Sequence, residues 1–80
     1  MTLREYIKNT TAQLAETGIA SARLDTLVLI CDELQQDKAW ILAHDDNELT
    51  DTQLHNLTSK IKRRIAREPL SYIRGNQEFY

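Results

Sequence analysis

The densest set of side chains able to act together lies late in the chain, where Lys60, Lys62, Arg63, Arg64 and Arg67 place five cations within eight residues. Such a run can grip an acidic protein surface, track a nucleic-acid backbone, or face solvent where cations suit the negative end of a helix. Nucleic acid is the weakest of the three, because the chain is acidic overall at −2 and no aromatic residues interleave with the basic ones. Arg63, Arg64 and Arg67 are therefore the candidate partner-binding residues, weighed against a plain solvated face. Elsewhere the chemistry is thin. His44 and His55 have no cysteine or further histidine at zinc spacing. Asp45, Asp46, Asn47 and Glu48 invite a calcium reading, but the alternating ligands, central glycine and closing glutamate of such a loop are missing, so a solvated acidic loop is expected. Cys31 sits in the most apolar stretch and reads as a core thiol, and Tyr6 as a partly buried aromatic. No nucleophile, acid-base pair or metal cluster emerges, so this chain alone is expected to be catalytically inert, with no cofactor or metal of its own.

The elements that position these residues read as helices. A chain of 80 residues is one small domain of modest stability, and 41% hydrophobic with 28% charged residues suits a soluble fold without a membrane span. The start, Met1 to Glu5, lacks the basic and apolar segments of a secretory signal, so a cytoplasmic location is expected. Leu3, Ile7, Thr10 or Thr11, and Leu14 share one side of a helix from about Thr2 to Thr17, with Thr2 and Glu5 as a capping box and Gly18 as its stop. Ser21 is the expected cap of a second helix through Leu34, whose stripe of Leu24, Leu27, Val28, Cys31 and Leu34 is widened by Leu29 and Ile30. That excess of apolar surface makes it the central helix. Asp25, in its first turn, is expected to favour the positive helix end. Asp37 caps a brief helix in which Trp40 and Ile41 seal one end of the bundle. Thr50 and Gln53 form a capping box that opens the longest helix, about Asp51 to Arg67, with Leu54, Leu57, Ile61 and Ile65 inside and the cations on the opposite side. The charge is lopsided: residues 1 to 50 carry four basic and nine acidic side chains, residues 51 to 80 six and three.

The helical rhythm breaks only at Glu68 to Tyr80. Pro69, the single proline, excludes Glu68 from the helical region and opens a short helix to which Leu70, Tyr72 and Ile73 give an apolar side. Gly75 can close it, and Glu78, Phe79 and Tyr80 have the composition of a strand start without a partner. The pattern Pro69, Leu70, Tyr72, Ile73, Gly75, Glu78, Phe79 and Tyr80 closely resembles the interdomain junction of HemK/PrmC-type protein-glutamine methyltransferases. The segment Ala22 to Ile30, with Arg23 and Asp25, also resembles that family's second helix, while Arg74 departs from the small or apolar residue familiar there.

The resemblance implies an all-α bundle of four or five helices over residues 1–75, serving as an N-terminal substrate-recognition domain. Residues 76–80 would lead toward the β-hairpin of an absent methyltransferase domain that uses S-adenosylmethionine. The family methylates the glutamine of the Gly-Gly-Gln motif in class 1 peptide chain release factors. The implied partners are thus a release factor and the chain's own catalytic domain, with no membrane. The chain's two glycines, Gly18 and Gly75, make no cofactor loop, and one proline cannot supply the family's Asn-Pro-Pro-Tyr signature. The competing reading is a free-standing helical protein-interaction or RNA-binding adaptor.

Overall fold

Five helices follow one another in the computed structural model, which describes residues 1–74: α1 (Leu3–Glu16), α2 (Ala22–Leu34), α3 (Lys38–Ala43), α4 (Asp51–Ile65) and α5 (Leu70–Arg74). No strand occurs among the described residues, so the all-α expectation holds. Among them no helix is long and apolar enough to cross a membrane. Gly75, Glu78, Phe79 and Tyr80 lie outside the described residues.

α1 starts where its capping box predicts. Thr2 Oγ1 accepts from the Glu5 amide at 3.2 Å and Glu5 Oε1 accepts from the Thr2 amide at 3.0 Å, which satisfies two donors the helix itself cannot use. It stops through paired bonds from the Gly18 amide to the Ala15 carbonyl (3.0 Å) and from the Ile19 amide to the Leu14 carbonyl (3.2 Å). Gly18 makes this possible at φ +87°, a conformation that side chains oppose. Ile19 folds back and is buried. The predicted inner residues Leu3, Ile7, Thr10 and Leu14 are all buried, and Tyr6 is enclosed more fully than expected.

The segment between α3 and α4 was expected to be solvated, yet its backbone runs beside the start of α1. The Leu3 amide donates to the Asn47 carbonyl (2.9 Å), the Arg4 amide to the Asp45 carbonyl (2.8 Å), and the Leu49 amide to the Met1 carbonyl (3.0 Å). The acidic loop thus satisfies first-turn amides that a helix leaves orphaned.

α2 touches each of the other four helices, as its excess of apolar surface required. Its most enclosed positions are Ala22, Asp25, Thr26, Leu27, Leu29 and Ile30, whereas Leu24 is 50% exposed and Val28, Cys31 and Leu34 are half-buried. The stripe is therefore rotated from the expected one. Ser21 occupies the cap position but makes no capping bond; its hydroxyl donates to Asp25 Oδ2 at 3.1 Å instead. Thr26, fully buried, is satisfied by the Ala22 carbonyl at 2.8 Å.

Asp37 caps α3 by accepting from the Trp40 amide at 2.8 Å. Ile41 is fully buried, while half-buried Trp40 stacks on His44 with centroids 4.1 Å apart. α4 carries the predicted capping box, Gln53 amide to Thr50 Oγ1 at 3.1 Å and Thr50 amide to Gln53 Oε1 at 3.0 Å. Leu57 and Ile61 are buried, with Leu54 and Ile65 packed against the core. The helix ends two residues before the expected Arg67, because Arg67 takes φ +72° and the Glu68 amide bonds back to the Arg63 carbonyl at 3.1 Å. Pro69 precedes α5 rather than opening it; its carbonyl accepts from the Tyr72 and Ile73 amides at 3.0 and 3.2 Å. Ile73 is buried and Leu70 half-buried, but Tyr72 is 72% exposed and does not share their apolar side.

Candidate functional site

The three candidate arginines do not form one outward patch. Arg64 lies seven residues after Leu57 and three after Ile61, which turns it toward the core side of α4. Its Nε donates to Asp25 Oδ2 at 2.8 Å and its Nη1 to the Glu68 carbonyl at 3.0 Å. Asp25 retains only 5% of its side-chain exposure and Arg64 only 19%, so this ion pair joins α2 to α4 inside the domain. Arg67 donates through Nη2 to the Thr17 carbonyl, tying the end of α4 to the end of α1 beside Gly18. Arg63 pairs with Glu68 at 2.9 Å near the surface. Lys60 is also turned inward, 3.6 Å from Glu33, whose other oxygen accepts from Asn56 at 3.0 Å. Of the predicted run, Arg63 and Arg67 remain exposed, each with a partner, and Lys62 is exposed without an ion pair among the described residues.

The junction residues are split in the same way. Ile73 anchors α5 in the core, and Arg74 grips Asp32 of α2 through two bonds of 2.6 and 3.1 Å. Tyr72 presents its ring outward on the same short helix.

A second surface was not anticipated. Along α1, Ile7, Thr11 and Ala15 recur every fourth residue beside the buried stripe, and with Ala12 they floor an open groove of about 410 Å³ whose far wall is Leu42 of α3, 47% exposed. Arg4, Lys8, Arg23 and Asp45 edge it. Thr11 carries a buried hydroxyl with no hydrogen-bond partner among the described residues. Asp45 accepts from Arg4 at 3.0 and 3.2 Å, and that hydrogen bond holds its carboxyl below the ordinary aspartate value. The sequence signal was the spacing of Arg4 and Lys8, four apart on α1.

The other titratable groups do not converge. Burial, aided by Asp32 and Asp37, pushes the Cys31 thiol above its ordinary value, which disfavours the reactive thiolate. Among the described residues no three His, Cys, Asp or Glu side chains come together as a metal site.

The described residues define a small all-helical module with charged and apolar surfaces. The comparisons give that module a family. The family model described as the PrmC N-terminal domain matches residues 5–75. A release factor glutamine methyltransferase of Vibrio cholerae is 35% identical over 80 residues, covering 100% of this chain and 28% of that protein. Its counterpart in Geobacter sulfurreducens is 37% identical over 78 residues, 98% of this chain and again 28% of the relative. A bifunctional methyltransferase of Rickettsia bellii is 23% identical over 78 residues, 98% of this chain and 14% of that longer protein. No solved structure matches the chain significantly. The chain belongs to the PrmC N-terminal domain family, and it spans little more than a quarter of the release factor methyltransferases it matches.

Proposed function

We propose that residues 1–75 are the substrate-recognition domain of a protein-glutamine N5-methyltransferase, and that residues 76–80 begin its link to the catalytic domain. The substrate in this reading is the glutamine of the Gly-Gly-Gln motif in class 1 release factors. The observation that carries it is the match of the whole chain to a part of enzymes named release factor glutamine methyltransferase, through a family described as their N-terminal domain. The described residues do not fit S-adenosylmethionine: they hold a single glycine, Gly18, whose neighbour is the Arg67 guanidinium, and no glycine-rich turn. In this reading S-adenosylmethionine is held by the catalytic domain, and no chemical step is assigned to residues 1–75.

Its contribution is positional. Binding energy collected away from the reacting glutamine can hold that side chain near the methyl donor, which lowers the entropic part of the barrier. On the cationic end of α4, Arg63 supplies the outward charge of the proposed contact, while Arg64 and Arg67 hold the frame that presents it. Pro69, Leu70, Tyr72 and Ile73, continuing to Gly75, Glu78, Phe79 and Tyr80, make the interdomain junction, with the exposed Tyr72 ring facing the following domain. Hydrogen exchange of the full-length enzyme, with and without purified release factor, tests the reading. Slowed exchange within residues 1–74 is expected on binding. Exchange unchanged throughout that segment refutes it.

A further inference from the structure

We propose that the groove between α1 and α3 seats a segment of the protein substrate in which apolar side chains are flanked by carboxylates. This inference rests on the domain gripping a protein substrate, and it names the surface that does so. Residues 1–50 carry nine acids and only four cations, Arg4, Lys8, Arg23 and Lys38. Three of those four edge this one groove, where the single acid is Asp45. Arg4 already neutralises Asp45, at 3.0 Å, so Lys8 and Arg23 are left with no ion-pair partner among the described residues. Of the four cations of α4, Lys60, Arg63 and Arg64 each meet a carboxylate of this chain, and Lys62 alone meets none among the described residues.

Two unmatched cations over an apolar floor complement an acidic, apolar occupant. Leu42, Ala12 and Ala15 offer surface whose burial favours association, while Lys8 and Arg23 attract and orient what arrives. The chain's own continuation is a poorer candidate. α5 packs on α2 and α4, and Arg74, the last described residue, is tied to Asp32 near the C-terminal end of α2, whereas Arg23 marks the opposite end of that helix.

The test uses the full-length enzyme and purified release factor. In Lys8→Glu/Arg23→Glu the melting temperature is retained and affinity falls roughly tenfold or more, with the loss shrinking as salt rises. Ala12→Trp, which fills the floor without altering charge, also weakens binding. A photo-cross-linker at Leu42 joins a release-factor segment that contains Asp or Glu. Unchanged affinity in both variants, or a cross-link into the enzyme's own chain, overturns the proposal. If affinity is unchanged while hydrogen exchange still slows elsewhere in residues 1–74, the groove is wrong and the recognition reading stands. If exchange slows nowhere in that segment, the recognition reading itself falls.

Discussion

Truncating Arg64 to alanine isolates the interaction that most sharply separates scaffold from surface. Asp25 keeps 5% of its side-chain exposure, and after Arg64→Ala its carboxylate retains a single side-chain donor, Ser21 Oγ at 3.1 Å. Breaking a buried ion pair from one side costs about 3–5 kcal/mol, since the remaining charge is neither hydrated nor matched. The expected loss of about 3–5 kcal/mol is a large part of the roughly 4–12 kcal/mol that 80 residues of average stability provide. At about 4–8 °C per kcal/mol for a domain of this size, the melting temperature falls by roughly 12 °C or more. Asp25→Leu combined with Arg64→Met recovers most of the loss, since apolar groups of similar bulk often replace a buried pair without cost. The Glu68 carbonyl still loses a donor, worth about 1 kcal/mol. Urea unfolding of the wild type, the single variant and the double variant decides the matter. A single-variant loss below about 1 kcal/mol, or a double variant no more stable than the single one, refutes the buried-pair argument.

Leu57→Ala, at a fully buried position, costs about 2–5 kcal/mol in the same assay. Arg67→Gly is more stable than Arg67→Ala by about 1 kcal/mol, because both lose the bond to Thr17 but only glycine escapes the penalty at φ +72°. Acid titration of Arg4→Gln reports on the α1 contact. Hydrogen bonding holds the Asp45 and Glu5 carboxyls below their ordinary values, so they stabilise the fold above about pH 4 and that contribution is lost as pH falls through their folded values. The wild type consequently loses its advantage over Arg4→Gln on acidification, as followed by thermal melts between pH 7 and pH 2.

The helix ends were legible because they are local chemistry: Thr2 with Glu5, Asp37, and Thr50 with Gln53 all cap where their spacing says. The core of α4 was legible for a similar reason, since Leu57 and Ile61 repeat at helical spacing. The side facing of the cations was misjudged. Counting from Leu57 already places Arg64 inward, but a charge inside a helix stripe is discounted until a partner is known, and Asp25 lies 39 residues away. Asp25 carried the matching signal, three residues after Ala22 and four before Leu29, all three buried. Tyr72 and Leu24 were misplaced because an apolar side chain beside a stripe does not reveal whether a neighbouring helix reaches it. Of the groove only the spacing of Arg4 and Lys8 was legible, as the rest needs α1, α2, α3 and the following loop to converge.

Where charge is compensated bears directly on where a partner gains most. A cation already paired must give up its own carboxylate before it can take one from another protein, so the exchange yields little net free energy. By that criterion the inner part of the α4 cluster is a poor source of affinity, although it has the higher density of basic residues. Lys8 and Arg23 have no such bond to break among the described residues, and the apolar surface beside them is open. A protein substrate that contacted both regions would draw specificity and capture rate from the groove and little more than steering from Arg63. In that case charge reversal at the groove should slow association and weaken its dependence on salt, whereas Arg63→Ala should leave the dissociation rate nearly unchanged.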